Sequence, residues 1–379
     1  MQTLVPVSGR NPNAHNATEI QAALSGLSGT RRWSFRYSLL DRDNRMLIED
    51  MSNVIAGRVE QSWQSDIKRT ATFTIQDTGL INFLTDRIMP RARLHLAPWG
   101  ASDWVEWPLG VFMLNSPKRK ADTTGLVTRD IVGYDALQQY AEDCPPGRYT
   151  VAKLANIVGA VSTLLGPYVS KVITPNSATL AAAKSWDPGV SRLRIINELL
   201  GMVNYNSLAF NETGQALVTP YVTPDKRTAE WTYADDDYGL LVPGMEQTLD
   251  LASIPNQVTC VVSNPDQAEL VAIATNANPA SITSTIRRGR VISDIRQEQD
   301  VPTLALLQAK ANNYLAQASQ VYESVDFDTG LNPLHSGNDV YRLKYGPLAL
   351  NSPYVEQSWS MELKAGARMR HTARRVVQL

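Results

Sequence analysis

The chain has 379 residues, of which 43% are hydrophobic and 19% are charged, and its formal net charge is −1 at pH 7. This length predicts two to four domains, and a net charge near zero gives no electrostatic case for general binding to nucleic acid. Cys144 and Cys260 form no CxxC motif, so neither a zinc site nor a redox motif is indicated, and we expect two buried free thiols. No stretch approaches the about 20 apolar residues of a membrane span, and the first residues do not have a signal-peptide pattern. We therefore expect a soluble protein that is made in a cytoplasm.

The first 140 residues are predicted to be mainly β-structure. Residues 1–30 are polar and rich in glycine and serine, which predicts an N-terminal arm with one short helix after Asn16. From Trp33 onward, apolar and polar residues alternate strictly, as in a strand with one buried face. A long hairpin over 54–75 and a strand over 88–96 follow. Short strands separated by turn residues at this spacing are typical of a β-sandwich or β-barrel.

The stretch 104–134 carries the strongest signal. Nearly every residue of 104–114 is apolar, Asp122 to Gly125 predict a turn, and 126–134 predicts a returning strand. A hairpin that is apolar on both faces must bury both, either inside a closed barrel or against another subunit. The pattern therefore favours a component of an assembly over a solvent-facing enzyme scaffold.

The composition changes after Pro145 and Pro146, where a domain boundary is predicted. The next part predicts a small α+β module with helices over 151–165 and 190–203 and a hairpin over 205–222. The pattern is β-like again from Trp231. Its predicted elements are strands over 258–262, 270–275, 281–286, 291–295, 340–345 and 354–377 and a helix over 302–320.

The predicted fold class is β-rich α+β, with two β-barrel-like domains and a small α+β module between them. The predicted parts are the arm 1–30, the first β-barrel-like domain 31–143, the module 144–228 and the second β-barrel-like domain 229–379, which includes the helix 302–320. The two β regions have the order expected of a diverged duplication, although no residue-level repeat is visible.

The search for chemistry yields no catalytic, cofactor-binding or metal site. The four histidines, His15, His95, His335 and His371, have no metal-ligating neighbours at helical or hairpin spacing, so each is interpreted as a surface or core residue. No P-loop, dinucleotide-binding, nucleophile-elbow or zinc-protease motif is present. The acidic run 235–237 lacks the alternate ligand positions of a calcium loop and predicts a solvated turn.

Two basic clusters, at 287–290 and 364–375, are candidates for binding. Such clusters bind phosphates or an acidic partner protein, but no aromatic residues are interleaved with them for stacking on bases. A protein partner or a plain solvated face is therefore favoured. The candidate assembly interface consists of Trp104, Trp107, Phe112, Arg288, Arg290, Arg368, Arg370, Arg374 and Arg375.

Several short phrases, in order, resemble a known family. They are WPLGVF at 107–112, GYD at 133–135, IPNQV at 254–258, RGRVI at 288–292 and NDV at 338–340. From about residue 31, the chain resembles the baseplate hub or tail-tip hub proteins of long-tailed bacteriophages. The resemblance implies a homotrimer in which two similar barrels per subunit form a pseudo-six-fold ring under the tail tube.

The resemblance implies a structural role without enzymatic activity or cofactor. A trimer with two similar domains per subunit presents six near-equivalent surfaces, so it can join a six-fold tube to a three-fold tip. The expected partners are tail-tube and distal tail proteins above, the tape measure protein, and tip, spike or fibre proteins below. Genome DNA is expected to pass through the ring without specific binding, and the chain is expected not to insert into a membrane. It would be made in the host bacterial cytoplasm and lie in the virion tail.

Two alternatives remain at this point. One is the hub of a contractile or secretion-type injection system, which the sequence does not separate from a viral hub. The other is a tail-associated cell-wall hydrolase, which would need a paired acid site or a metal.

Overall fold

The structure is a computed structural model, and it describes residues 1–4, 16–26, 31–96, 104–115, 118–236, 240–249, 252–262, 270–298, 303–318 and 321–377. The chain divides into two compact units. Unit 1 consists of Met1–Gly244 and Phe327–Thr372, and unit 2 of Met245–Asp326 and Ala373–Leu379. Among the described residues, no helix is long and apolar enough to cross a membrane.

In its described residues, the first part of unit 1 is a helix followed by nine strands. These are α1 (Ala17–Ser25), β1 (Arg32–Leu40), β2 (Met46–Ile48), β3 (Val54–Ser62), β4 (Arg69–Gln76), β5 (Arg87–His95), β6 (Trp104–Pro108), β7 (Phe112–Leu114), β8 (Lys118–Ala121) and β9 (Val127–Tyr134). The helix predicted after Asn16 is confirmed. Asn16 and Glu19 form a capping box, and Ile20 and Leu24 are buried in the main core of unit 1.

The α+β module follows within the same unit. Its elements are α2 (Leu137–Glu142), β10 (Tyr149–Val151), α3 (Ile157–Leu165), β11 (Lys171–Ile173), β12 (Lys184–Trp186), α4 (Arg192–Met202), β13 (Ala209–Phe210) and β14 (Ala216–Val218). The predicted helix start at 151 is wrong, because β10 pairs with β12. The helix begins only after Asn156, whose side chain accepts a hydrogen bond from the Gly159 amide.

The remaining elements include strands that complete the main sheet. They are β15 (Trp231–Ala234), β16 (Leu241–Leu249), β17 (Gln257–Val262), β18 (Leu270–Thr275), α5 (Thr285–Arg288), β19 (Ser293–Glu298), α6 (Leu304–Ala318), β20 (Val321–Gly330), β21 (Val340–Tyr345), β22 (Leu350–Glu362) and β23 (Arg368–Val377), with single 3-10 turns at Pro224–Lys226 and Gly346–Leu348. The predicted strand over 281–286 is wrong: Ser284 caps α5 instead.

The two predicted β regions share one sheet. Its main path runs β16-β20-β23-β22-β3-β4-β9-β7-β5-β1-β2. The regions join where β22 pairs antiparallel with β3, with Met361 opposite Val59. The β-rich α+β class is therefore confirmed, but the described strands form no closed barrel. The predicted domain boundaries at 143/144 and 228/229 stay predictions.

The predicted hairpin over 104–134 has the right turn but only part of the predicted pairing, because β7 pairs with β9 and β6 does not. Asp122 accepts hydrogen bonds from the amides of Thr124 and Leu126, as expected for a turn. However, β9 pairs with β8, β7 and β4, whereas β6 pairs with β5. Gly110, at φ 138°, lies between β6 and β7 and supplies a backbone conformation that L-residues rarely adopt.

Both faces of β6 are buried, as predicted, and the same chain covers them. Val105, Glu106 and Trp107 are all buried. The indole nitrogen of Trp107 donates to the carbonyl oxygen of Thr3 at 3.1 Å, and Gln2 Nε2 donates to the carbonyl oxygen of Pro108 at 2.8 Å. Burial of this strand therefore requires neither a closed barrel nor another subunit.

Unit 2 contains a three-stranded sheet in the order β18-β17-β19. The helix α6 covers one face of this sheet. The core between them is formed by Val258, Cys260, Ala272, Ala274, Leu307 and Ala311. Of the two thiols that were expected to be buried, Cys260 is buried, but Cys144 is exposed.

Candidate functional site

Two of the predicted interface aromatics belong to the core of this chain. Trp107 is 1% exposed and Phe112 is 0% exposed. The Phe112 ring packs edge-on against Phe73, with ring centroids 6.1 Å apart. These two side chains therefore stabilise unit 1 and offer no surface to a partner. The sequence pattern identified them as apolar without distinguishing an internal from an external contact.

Trp104 is half-buried at the start of β6. The guanidinium of Arg93 lies over its ring, 3.8 Å from the centroid, which is a cation–π arrangement. Arg93 also contacts Glu106 at 3.2 Å, and Arg91 contacts the same carboxylate at 3.0 Å. The Trp104 ring is thus held by a charged network, with part of its surface open to solvent.

The predicted basic residues divide between the two units. In unit 2, Arg288 donates to the carbonyl oxygen of Ile254 at 2.6 Å, and Arg375 pairs with Glu323 at 2.9 Å. In the same unit, Arg374 is half-buried and Arg290 is exposed. In unit 1, Arg368 and Arg370 are exposed on β23 and alternate with buried Met369 and His371. The assignment of these arginines to an assembly interface stays a prediction.

A groove of about 690 Å³ crosses the outer face of β3, β4 and β9. Its lining includes Ile55, Thr72, Val132 and Lys364. The carboxylates of its lining are Glu362 and Asp130, and Asp130 accepts a hydrogen bond from Thr74 and pairs with Lys120. One carboxyl group of a glycosidase pair must act as a general acid with a raised pKa. The hydrogen bond from Lys120 instead lowers the pKa of Asp130, so Asp130 does not suit that role.

A buried histidine cluster, which we define as His335, Glu356 and His371, lies inside unit 1. Strand alternation places Glu356 of β22 and His371 of β23 on the inner face, and His335 comes from the loop before β21. His371 Nδ1 lies 2.9 Å from Glu356 Oε2, and His335 Nδ1 lies 3.5 Å from the same oxygen. All three side chains are at most 1% exposed.

Hydrogen-bonding groups surround both imidazoles. His335 Nε2 bonds to the hydroxyl of Tyr233, which also accepts a bond from Asn332 Nδ2 at 3.0 Å. His371 Nε2 bonds to the hydroxyl of Thr329 at 2.9 Å. The Phe327 ring stacks on His371 with centroids 5.0 Å apart. Each imidazole therefore has a fixed orientation.

A second carboxylate, Asp339, adjoins the cluster. Its Oδ2 lies 3.2 Å from His335 Nδ1, and the amino group of Met1 lies 2.7 Å from its Oδ1. Burial alone would raise the pKa of Asp339, but the hydrogen bond from His335 and the positive amino group lower that pKa to about 2. Burial lowers the pKa of His371 and raises that of Tyr233.

Sequence reasoning missed this cluster. His335, Glu356 and His371 are far apart in the chain, and no short motif relates them. One signal was available: His371 alternates with Met369 and Ala373, which are buried apolar residues, so it had to face inward. Because a buried histidine needs polar partners, that alternation already implied a polar site within the β-core.

The sequence matches no protein-family model and no curated protein. Solved structures do match. The tail protein from Neisseria meningitidis MC58 superposes with a TM-score of 0.61 at 11% identity, over 90% of this chain and 97% of that chain. The chain has the fold of a phage tail protein. The 43 kDa tail protein of prophage MuSo2 from Shewanella oneidensis gives a TM-score of 0.59 at 11% identity, over 90% and 98% of the two chains.

A further match comes from a protein complex of Francisella. A chain of the Francisella PdpA–VgrG complex gives a TM-score of 0.51 at 8% identity, over 94% of this chain and 60% of that chain. The resemblance to phage tail hub proteins is therefore confirmed at the level of the fold.

Proposed function

We propose that this chain is a structural hub of a phage tail tip or baseplate, which assembles as a homotrimeric ring between the tail tube and the tip and surrounds the DNA exit channel. The observation that carries this proposal is the extent of the fold similarity, which covers 90% of this chain and 97% of the Neisseria tail protein. Under the proposal, the ring also contacts the tape measure protein and the spike or fibre proteins.

The exposed arginines of β23 support a role in assembly. Arg368 and Arg370 project from the outer face of a strand whose inner residues are buried, so their position is rigid. Charges on a rim mainly set the rate and specificity of association. We assign this pair to the contact with an acidic surface of a neighbouring protein.

Light scattering on the purified full-length chain tests the trimer. We expect a mass about three times the 41.8 kDa of one chain at micromolar concentration. A monomeric mass both in solution and within assembled particles would contradict the proposal.

A charge-reversal variant tests the surface. Arg368→Glu combined with Arg370→Glu should weaken assembly by about tenfold or more, because two attractive contacts become repulsive. Arg42→Glu with Arg45→Glu is the matched control, since both arginines are exposed on the turn between β1 and β2. Equal assembly of both variants would remove the β23 arginines from the interface.

A second candidate is the hub of a contractile injection system, which the similarity to the PdpA–VgrG complex favours. Negative-stain imaging of particles labelled with an antibody to this chain separates the two. Label at the end of a DNA-containing particle supports the viral hub. Label on a sheathed tube without a capsid supports the injection system.

We also propose that the chain lacks hydrolytic activity. In the outer groove, the hydrogen bond from Lys120 lowers the pKa of Asp130, which makes it a poor general acid. The side chains of the buried histidine cluster are at most 1% exposed, which leaves no opening for a polymer. The purified protein should release nothing from peptidoglycan in a turbidity assay. Clearing that is lost in a single carboxylate variant would overturn this.

A further inference from the structure

The geometry of the buried histidine cluster is that of a metal site. The ligand atoms of His335, Glu356 and His371 all lie within 4.8 Å of one another. Tetrahedral zinc holds nitrogen and oxygen ligands at about 2.0–2.1 Å, which places neighbouring ligand atoms about 3.3 Å apart. The distances of 2.9 and 3.5 Å from Glu356 Oε2 to the two Nδ1 atoms lie on either side of that separation.

The hydrogen bonds of His371 are compatible with a proton or a metal ion between it and Glu356. Thr329 donates its hydroxyl hydrogen to the carbonyl oxygen of Gly330 at 2.9 Å. The hydroxyl has a single hydrogen, so Thr329 accepts from His371 Nε2. In the neutral imidazole, Nδ1 is then unprotonated and points a lone pair at a carboxylate oxygen. Two electron-rich atoms at 2.9 Å are stable only with a proton or a metal ion between them.

A further observation favours the metal ion. The second carboxylate oxygen, Glu356 Oε1, is buried and has no hydrogen-bond partner among the described residues. The hydroxyl of Tyr341, whose ring centroid lies 5.6 Å from that of His335, adjoins the Glu356 carboxylate and would be an outer-shell donor to it. Unpaired buried oxygens are rare in native proteins and often mark an ion. A metal ion bound by both oxygens of Glu356 would satisfy Oε1 directly.

We propose that His335, Glu356 and His371 bind a divalent transition-metal ion, with zinc as the best fit, in a closed structural site. Two imidazoles and a carboxylate suit zinc better than calcium or magnesium, which prefer oxygen ligands alone. In the metal-bound state, the hydroxyls of Tyr233 and Thr329 would accept the Nε2 hydrogens and so orient both rings, as outer-shell groups do around metal-bound histidine. His335 Nδ1 would then bind the ion in place of its hydrogen bond to Asp339. Asp339 supplies a further carboxylate oxygen, 3.2 Å from His335 Nδ1.

The ion would connect three elements of unit 1, namely the loop of His335 and the strands β22 and β23. Because the three ligands are at most 1% exposed, the ion enters during folding and leaves only on unfolding. Chelators added to the native protein should therefore remove it slowly.

The test is elemental analysis of full-length protein expressed with added zinc and passed through a desalting column. We expect about one zinc ion per chain, retained in EDTA and released when the protein is denatured. Glu356→Gln, which keeps the shape but removes the charge, should lower the zinc content by about tenfold. The control is His95→Ala, whose half-buried ring on β5 lies outside the cluster and hydrogen-bonds to Ser34; it should retain full zinc.

Protein expressed with cobalt provides a readout that does not depend on the variant's folding. Tetrahedral cobalt in the wild-type chain should give visible absorption bands, which zinc added before folding abolishes. The proposal is overturned if the wild-type protein holds neither zinc nor cobalt. That result is expected if a proton, and not a metal ion, lies between His371 Nδ1 and Glu356. The proposal is also overturned if Glu356→Gln retains full zinc, or if His95→Ala loses it.

Discussion

The core of unit 1 and the core beneath α6 in unit 2 are built differently. The unit 1 core combines large apolar side chains with buried charges such as Arg69, Glu106 and Glu212. Among the described residues of unit 2, the core consists of six, three of which are alanines. Small side chains allow α6 to approach its sheet closely, but each buries little apolar area and contributes little free energy.

The buried charges make unit 1 specific as well as stable. Arg69 NH2 lies 2.7 Å from Glu212, and Arg69 Nε donates to Gln61 at 2.7 Å. The first bond connects β4 to the turn between β13 and β14, and the second connects β4 to β3. A buried charge is costly without its partner, so the pair is stable only when the module sits in one position on the sheet. The core beneath α6 has no comparable constraint among its described residues.

The largest expected effect comes from breaking the buried ion pair. Glu212→Ala leaves Arg69, which is 2% exposed, without its carboxylate. Removal of one partner of a buried pair typically costs about 3–5 kcal/mol. We therefore expect Glu212→Ala to lower the free energy of unfolding, measured in urea, by about 4 kcal/mol. Glu60→Ala is the control, because the pair of Glu60 with Arg58 is half exposed and should be worth less than about 1 kcal/mol. Equal losses in the two variants would remove the contrast between buried and exposed pairs.

The stability of the unit 2 core should depend strongly on Leu307. Leu307 is the largest side chain of that core and is 0% exposed. Leu307→Ala leaves a cavity that small neighbours cannot fill, and we expect a loss of about 3 kcal/mol. Hydrogen exchange at the amides of β17 and β18 measures it. Leu306→Ala, on the exposed side of α6 at 54% exposure, should change the same amides little. A small effect of Leu307→Ala would show that other contacts hold α6.

A smaller effect concerns Asp135, a buried carboxyl of unit 1. Burial raises its pKa to about 6, although the amides of Leu137 and Arg69 donate to it. The pKa of Asp135 is higher in the folded protein than in the unfolded protein. The carboxyl group therefore stabilises the fold at pH values below the unfolded-state pKa, and this stabilisation is lost as the pH rises through about 6. Relative to Asp135→Asn, the wild type should lose about 2 kcal/mol of unfolding free energy between about pH 4.5 and pH 7.5. Parallel pH profiles for the two proteins would contradict the raised pKa.

The sequence predicted correctly those helices, strands and turns whose deciding contacts lie within a few residues of one another. The alternation after Trp33 became β1, and the capping box at Asn16 begins α1. The turn at Asp122 also formed as predicted, since the side chain of an aspartate can hydrogen-bond its own backbone. The helix over 302–320 appears as Leu304–Ala318. In each case, residues within a few positions of one another make the deciding contacts.

Long-range pairing was predicted less well. Apolar residues at 104–114 were assigned to one hairpin strand, but the chain divides them between β6 and β7 around Gly110. The predicted strand over 281–286 became a turn and α5, because the side chain of Ser284 caps a helix. The pairing of β22 with β3, which joins the two β regions in one sheet, has no local signature.

The β-rich class, the order of its main elements and the family resemblance can be read from the sequence, because hydrophobic periodicity and turn chemistry act over a few residues. That Trp107 and Phe112 are internal, and that Arg368 and Arg370 are exposed, follows from the packing of the folded chain. The same packing brings His335, Glu356 and His371 together. Strands far apart in the chain come into register through the whole sheet, and no short stretch of sequence encodes that register.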